Sequence, residues 1–258
     1  MNLFVLLKMV PDTVEELNVA PDSPALDAEF LRFKLSDPGE QALEQALLLK
    51  EKHGGTVTVV ALDAPEVDEV LFTALAKGAT RAVKIGGDWS RLQSFAAGQI
   101  LAAFLKAAGS ALPADALVLL RSQAIDDLEG EIGPYLAEEL GVPYAGVVTG
   151  VTVTGNSMSI IKEFAGGLRG EFTLPLPAVL GIQSAEKPPR YVPIAKVRAA
   201  LKSAKIETAD VAPPARLARF ALERMYKPEA GGRAQMLEGS PEAVANKLVE
   251  VLVQQGLI

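Results

Sequence analysis

Short apolar runs alternate with helix-forming segments over about residues 1–145. Leu3–Leu7 and Ala116–Leu120 are continuous apolar runs, and Thr56–Leu62 is rich in β-branched residues. Such runs are typical of strands that are buried on both faces of a parallel sheet. The alternation therefore predicts an α/β fold with a doubly wound, mostly parallel sheet.

Helix start and stop signals mark the segments between these strands. Asp37 is a predicted N-cap, with Pro38 at the first helical position and Glu40 placed to close a capping box. This helix should end near His53, where a cation suits the helix dipole and Gly54 suits the C′ position. The other predicted elements of this region are a strand at Ala82–Ile85 and helices over 66–77, 90–108 and 128–140.

The pattern changes after this region. Val147–Thr154 and Met158–Glu163 are predicted as short strands around a Gly155–Asn156 turn, which is a strong signal for a β-hairpin. Leu176–Ile182 is a further apolar strand that follows a polar span. These segments predict a small β-hairpin extension beside the parallel sheet.

Periodicity is weaker in the C-terminal part. Residues 208–232 carry prolines and glycines, with a short helix predicted around 214–226. Ser240 is a predicted cap and Pro241 the first residue of a final helix that ends near Gln255. The layout fits either a C-terminal arm that wraps a partner or a plain terminal helix on the same domain.

Composition excludes several classes of function. The net charge is −7 and no basic stripe follows any predicted helix, which argues against a nucleic-acid partner. The chain has no cysteine, and this excludes disulfides, thiolate catalysis, iron–sulfur clusters and Cys-ligated zinc. A single histidine also argues against a Ser–His triad or a His-based metal site.

The apolar run at the start of the chain is short and has no small-residue cleavage site, so we interpret it as a strand and not as a signal peptide. No stretch reaches the roughly 18 apolar residues that suggest a membrane span. We therefore expect a cytoplasmic protein with no direct membrane insertion.

Phosphate-binding motifs are missing from the usual places. Neither the P-loop nor the G-x-G-x-x-G pattern occurs, and the loop Lys8–Thr13 after the first strand contains no glycine. The loop 121–134 instead runs from a strand end to a helix start, a position that favours anion binding. Its Asp126 and Asp127 either accept hydrogen bonds from a nucleotide or serve as N-cap and first-turn acids of the next helix.

Six short motifs occur in a fixed order along nearly the whole chain. They are Lys8-Met9-Val10-Pro11-Asp12, Asp37-Pro38, Gln123–Asp127, Gly166–Gly167, Pro189–Tyr191 and the segment 237–252. Each motif is weak alone, but in this order they resemble the beta subunit of the electron transfer flavoproteins. The resemblance implies a Rossmann-like, nucleotide-binding α/β fold with a C-terminal arm.

The same resemblance implies a division of the chain into three parts. Residues 1–190 would form the nucleotide-binding α/β domain, including the hairpin region. Residues 191–207 would form a partner-recognition loop and a basic helix, and residues 208–258 an arm that packs on an alpha subunit.

In that family an AMP bound within the beta subunit contributes to assembly and not to chemistry. Carried over to this sequence, the AMP site would comprise Leu6, Ser36, Asp37, Pro38, Gly39, Gln123, Ala124, Ile125, Asp126, Asp127, Gly130, Glu131 and Ile132. The second half of the loop departs from the family, because Leu128–Ile132 lacks the Asn and Thr side chains that many members have near the phosphate. Backbone N–H groups would then hold the phosphate. A bifurcating subclass places a second FAD in this site, and the missing polar side chains disfavour that alternative.

The redox FAD of the family is held mainly by the alpha subunit. The beta subunit covers part of the flavin from the loop after the first strand, which places Thr13 near FAD. Glu163, next to Lys162, lies where members contact the alpha subunit; the alternative is a solvated strand end.

The segment Tyr191–Lys196 matches the family's docking loop for acyl-CoA and other primary dehydrogenases. Ile194 would be its apolar anchor and Lys196 would steer acidic partners. The alternative is that Ile194 packs internally and the basic residues form a solvated helix face.

The resemblance implies an electron carrier subunit, with no catalytic side chains of its own, that passes electrons to a quinone oxidoreductase. Two other functions on a similar fold are a stand-alone, stress-type nucleotide-binding module and an ATP pyrophosphatase. Both require a glycine-containing phosphate loop, which Lys8–Thr13 does not provide.

Overall fold

The structure is a computed structural model, which we describe for all residues other than 22, 90–91, 108–111, 128–129, 229–233 and 235. The strands are β1 (Asn2–Leu7), β2 (Met9–Pro11), β3 (Phe33–Leu35), β4 (Thr56–Leu62), β5 (Arg81–Ile85), β6 (Ala116–Arg121), β7 (Tyr144–Thr154), β8 (Ser157–Glu163), β9 (Arg169–Pro175), β10 (Ala178–Ile182) and β11 (Glu207–Ala209). The helices are α1 (Asp37–His53), α2 (Val67–Lys77), α3 (Ser94–Ala107), α4 (Ile132–Leu140), α5 (Ile194–Ser203) and α6 (Pro241–Gln254).

The main sheet has nine strands in the order β11-β5-β4-β1-β6-β10-β7-β8-β9. The strands from β11 to β7 are parallel, and β8 and β9 add an antiparallel extension at one edge. The predicted fold class is therefore confirmed. The predicted hairpin is confirmed as well, because β7 and β8 pair with Thr154 opposite Ser157 across the Gly155–Asn156 turn.

The core lies on both faces of the parallel strands. One cluster packs Leu43 of α1 and Leu71 of α2 against the sheet, and the other packs Ile100 of α3 and Leu136 of α4 against it. All six residues of β6 are buried, which explains why this central strand is a continuous apolar run up to its last residue.

The predicted capping box of α1 is wrong. The N-cap is Ser36 and not Asp37, and no side chain caps the helix. The end of α1 agrees with prediction, because Gly54 has a positive φ of 71° and its N–H bonds to Lys50 O. At the start of α1, Gly39 N and Glu40 N donate to the backbone oxygen of Ser36, and Pro38 has no N–H.

The helix predicted around 214–226 is also wrong, because that segment has no regular secondary structure. Arg219 instead lies over the rings of Phe95 and Tyr135, with its guanidinium carbon 4.4 and 5.1 Å from the two ring centroids. Gln93 completes the contact, accepting from Arg219 N and donating to Phe220 O. Side-chain contacts with α3 and α4 thus hold this segment against the domain without a helix.

Some elements went unpredicted, namely β2, β3, β9 and β11. Of these, β11 pairs with β5 and crosses the expected boundary between residues 207 and 208. The helix predicted over 128–140 begins at Ile132, and residues 128–129 lie outside the described part of the chain. Among the described residues, no helix is long and apolar enough to cross a membrane.

Candidate functional site

The candidate site lies at the carboxyl ends of β1 and β6, the two central strands. After β1 the chain adds β4 and β5 on one side, and it then returns to add β6 on the other side. The strand order therefore reverses between β1 and β6, and in open α/β sheets ligands bind at such a point. Lys8 follows β1 here, and the loop that begins at Arg121 follows β6.

A cluster of two cations and two carboxylates occupies this edge. Lys8 Nζ lies 2.5 Å from Asp126 Oδ1 and 3.1 Å from Asp127 Oδ2. Arg121 Nη2 lies 2.5 Å from the same Asp127 oxygen. The two positive and two negative charges balance. The cluster therefore holds the loop against β1 without leaving net negative charge beside a candidate anion site.

Asp127 holds the shape of the loop. Its Oδ1 accepts a hydrogen bond of 2.7 Å from Ala124 N, so both carboxylate oxygens have partners within the chain. Burial alone would raise the pKa of Asp127, but the charges of Arg121 and Lys8 lower that pKa below its ordinary value. The carboxylate is therefore ionised at neutral pH, and its contacts stabilise the conformation of the loop.

The interpretation of Asp126 and Asp127 as helix-capping acids is wrong. Helix α4 begins at Ile132 with Glu131 at its N-cap, beyond both aspartates. The chain reaches α4 through Gly130, whose φ is +64° and whose Cβ, if present, would lie 2.6 Å from Ser122 O. Glycine is therefore required for this turn.

Two buried polar atoms at this edge have no hydrogen-bond partner among the described residues, Ser36 Oγ and Arg121 Nε. Buried polar atoms are nearly always paired, so each such atom points to a missing ligand or water. Gly39 keeps the space around the serine open, since a Cβ there would lie 2.8 Å from Ser36 Oγ. A hydroxyl, a guanidinium N–H and the uncapped start of α4 form a donor set that suits a phosphate or a ribose.

Backbone contacts bring the predicted segments together. Ser36 N donates to Lys8 O, which joins the start of α1 to the charged cluster. Helices α1 and α4 both begin without a side-chain cap, at Ser36 and Glu131. The turn Ser36–Gly39 and the loop Gln123–Asp127 therefore border one edge of the sheet, and the uncapped start of α4 favours negative charge there.

The predicted site residues differ in exposure. Leu6, Ala124 and Ile132 are buried, and the side chain of Leu6 belongs to the core. Gln123 is exposed, and Ile125 is 54% exposed. Thr13 lies in an exposed turn after β2, beside Val14.

Sequence reasoning missed Lys8 as a site residue. In the sequence it stands out only as part of a motif, because its partners Asp126 and Asp127 are more than a hundred residues away. The available signal was a lone cation placed directly after an apolar strand, at the end where ligands bind.

The predicted docking loop is exposed. Tyr191 is 86% and Ile194 is 65% exposed, so the alternative in which Ile194 packs internally is wrong. Ile194 opens α5, and Lys196 is exposed in its first turn. An apolar side chain and a cation are thus presented together to solvent.

Glu163 ends β8 and forms an ion pair of 2.9 Å with Arg169 of β9. It is therefore more than a solvated strand end, since it closes the hairpin across the Gly166–Gly167 turn. Phe164 and Phe172 lie beside it with ring centroids 6.5 Å apart, and both are about half exposed.

Helix α6 buries none of its residues on this chain. Val244, Leu248, Val251 and Leu252 recur at the spacing of one helical face. Leu248 is 49% exposed, so the apolar face is largely in contact with solvent. The helix begins as predicted, with Ser240 Oγ accepting a hydrogen bond from Ala243 N.

Comparisons with a family model and with individual proteins indicate the same family. The family model of the electron transfer flavoprotein domain matches residues 28–214. The chain is 29% identical to the electron transfer flavoprotein subunit beta of Bacillus subtilis, an alignment that covers 98% of this chain and 97% of the relative. It is 33% identical to the protein of the same name from Clostridium acetobutylicum, over 81% of this chain and 79% of the relative. The acryloyl-CoA reductase electron transfer subunit gamma of Anaerotignum propionicum is 26% identical over the full length of both chains.

Proposed function

The chain belongs to the electron transfer flavoprotein family, with beta subunits as its relatives, and from this premise we propose its function. It acts as the beta subunit of a heterodimer that accepts electrons from primary dehydrogenases such as acyl-CoA dehydrogenases. The heterodimer passes them to a quinone oxidoreductase. The observation that carries the proposal is the match to named beta subunits over nearly the whole chain.

The exposed apolar face of α6 supports assembly with a second chain. A helix that buries nothing on its own domain gains little from folding there, because most helical stability comes from a packed apolar face. In the proposed heterodimer the alpha subunit covers the face that includes Leu248. Glu163 and its hairpin provide a second contact with that subunit.

AMP is the proposed ligand of the edge between β1 and β6. The residues fit a nucleotide because Ser36 Oγ and Arg121 Nε are buried donors without partners. Gly39 leaves room beside the serine, and the first turn of α4 has backbone N–H groups that no side chain caps. Asp127 orients the loop and is not a ligand contact, because its oxygens are already used. AMP would thus stabilise the fold and its assembly.

FAD supplies the electron-transfer chemistry of the complex, and the alpha subunit holds most of it. This chain would cover part of the flavin with the exposed turn that contains Thr13. The polypeptide contributes shelter from water and electrostatics, and no side chain of this chain acts in proton transfer or covalent chemistry.

Client dehydrogenases dock on the loop Tyr191–Lys196 in this proposal. An exposed apolar residue on a short, proline-containing loop can enter a partner's pocket with little loss of conformational entropy. Ile194 provides this anchor, and Lys196 steers an acidic partner toward it.

The proposal is tested by FAD retention. The chain is expressed alone and together with an alpha-type subunit from the same source, and each sample is gel-filtered. We expect flavin absorbance to elute only with the two-chain complex. FAD retained by this chain alone, or by neither sample, would contradict the proposed division of the cofactor.

A further inference from the structure

The segment 183–193, which leads into the docking loop, has no helix or strand of its own. Three of its backbone N–H groups donate to side chains on one face of α1. Ala185 N donates to Gln41 Oε1, and Glu186 N donates to Gln45 Oε1, both at 3.0 Å. A polar stripe on α1 therefore holds a segment that lacks regular backbone pairing.

Arg190 is the last and strongest of these attachments. Its Nε lies 2.9 Å and its Nη2 2.8 Å from the two carboxylate oxygens of Glu44. Its backbone N donates to the same carboxylate at 3.0 Å, and its Nη1 lies 2.6 Å from Glu51 Oε1. A bidentate contact of this kind fixes direction as well as distance.

The acid that receives this contact is buried. Glu44 is 3% exposed in the middle of α1, so its charge needs a partner within the fold. The hydrogen bonds that Arg190 donates to Glu44, and then to Glu51, raise the pKa of Arg190, which keeps the guanidinium charged at all relevant pH values. The pair is therefore a permanent link between α1 and the segment.

Exposure changes abruptly at the next residue. Tyr191 projects into solvent, and Ile194 follows at the start of α5. The fixed point thus lies directly before the part of the loop that would enter a partner. A contact at Arg190 sets where that part begins and in which direction it leaves α1.

We propose that Arg190 is a positioning residue for dehydrogenase docking, acting through Ile194. By binding Glu44 it orders the loop before a partner arrives, so that less conformational entropy is lost on binding. This inference rests on the proposed docking role of the loop. The side-chain contacts of Arg190 are with Glu44 and Glu51 of α1, and in this proposal its effect is confined to complex formation.

The test uses the complete FAD-loaded complex as electron acceptor for a medium-chain acyl-CoA dehydrogenase with octanoyl-CoA. Arg190→Lys keeps the charge but loses the planar fork. We expect it to raise the apparent KM for the complex roughly three- to tenfold, the range set by the cost of ordering a side chain at an interface. The kcat and the FAD content remain unchanged. Glu51→Gln removes only the exposed contact of Arg190 and should give a smaller rise in KM. This variant replaces Arg190→Lys in the test if Arg190→Lys fails to fold.

Arg81→Lys is the matched control. Arg81 forms a similar two-nitrogen pair with Glu207, at 3.0 and 2.7 Å, but this pair anchors β11 to β5. Its substitution should leave the KM unchanged. An equal rise in both variants would show a general loss of stability and would overturn the proposal.

A double-mutant cycle separates positioning from plain stabilisation. If Arg190 acts through Ile194, Arg190→Lys raises the KM in the wild-type background and has less than about a twofold effect when Ile194 is already alanine. Equal effects in both backgrounds, or no effect in either, overturn the proposal.

Hydrogen exchange distinguishes this inference from the proposed function. If the dehydrogenase fails to reduce even the unmodified complex, the proposed docking role of the loop is wrong. The kinetic measurements then give no information on Arg190. Faster amide exchange within residues 185–196 in Arg190→Lys would then still show that Arg190 orders the loop, and unchanged exchange would overturn that ordering.

Discussion

Lys8 Nζ, directly after β1, lies 3.1 Å from Asp127 Oδ2, which belongs to the loop after β6. These two strands are neighbours at the point where the strand order reverses. The pair therefore joins the two loops that border the candidate nucleotide site. Arg121 shares the same carboxylate oxygen, so one buried acid organises cations from both strands.

Asp127→Asn should destabilise the complex by about 3–5 kcal/mol, since it leaves Arg121 buried without a counter-charge. The measurement is urea unfolding of the purified complex at pH 7. Asp126→Asn is the matched control, because Asp126 binds the same lysine but is more exposed. Its cost should be about 0–1 kcal/mol. Similar costs for both variants would show that Asp127 does not organise the loop.

The contribution of Asp127 should depend on pH in one direction. Its pKa in the folded chain lies below the ordinary value of 3.8, because the cations outweigh the effect of burial. The stabilisation is therefore fully present above 3.8 and is lost as the pH falls through the lower, folded-state pKa. The stability difference between wild type and Asp127→Asn should be constant from pH 7 to about pH 4 and shrink below it. A difference that shrinks already between pH 7 and 5 would contradict this assignment.

Local sequence patterns predicted the fold because, in the strands of the parallel sheet, the pattern of burial and the backbone preference of the residues indicate the same structure. The apolar runs of β1 and β6 and the Gly155–Asn156 turn depend on residues next to each other in the chain. Strand β9 was missed because most of its side chains are exposed and it contains Gly170, so no alternation marks it. The helix expected around 214–226 failed because Arg219 finds its partners on α3 and α4 and not within its own turn.

Site prediction had a similar limit. The loop Gln123–Asp127 was identified through a motif, but its internal chemistry depends on Lys8, which is remote in sequence. The unpaired state of Ser36 Oγ and Arg121 Nε is a property of packing and leaves no mark in the sequence. The capping-box prediction failed because Ser36, and not Asp37, is the residue that precedes the first turn of α1.

Ser36→Ala should weaken AMP binding without weakening the fold. The hydroxyl has no partner in the chain, so its removal breaks no internal hydrogen bond. A lost bond to a charged phosphate would raise the Kd roughly ten- to hundredfold. The measurement is calorimetric titration of AMP into nucleotide-stripped complex.

Ser122→Ala is the control for that experiment. Ser122 is also buried, but its hydroxyl donates to Gly181 O and accepts from Val147 N. We expect it to lower stability by about 1–3 kcal/mol, with much less effect on the Kd for AMP. An unchanged Kd in Ser36→Ala would remove the serine from the nucleotide site.

Ile194→Ala should slow reduction of the complex by an acyl-CoA dehydrogenase at low concentrations of complex, because the apolar anchor is lost. The FAD content should not change. Leu201→Ala is the control, since Leu201 is an exposed apolar residue of the same helix outside the loop. Equal reduction rates for wild type and Ile194→Ala at every concentration of complex would count against the anchor role.

Leu248→Asp should disrupt the heterodimer. Burying a charge in the apolar contact that α6 is proposed to make, together with losing about 1.5–3 kcal/mol of leucine burial, should weaken association more than tenfold. Asn246→Asp adds the same charge away from the apolar face. Co-purification with a tagged alpha subunit measures both, and retention of the complex by Leu248→Asp would exclude α6 as an interface.

The most direct test of the central claim is native mass spectrometry of the protein purified from its own source. We predict a heterodimer of this chain with one alpha-type subunit, carrying one FAD and one AMP. Two FAD molecules would indicate a bifurcating subunit and contradict the AMP assignment. A monomer or homodimer that carries ATP and no flavin would contradict the electron-transfer function itself.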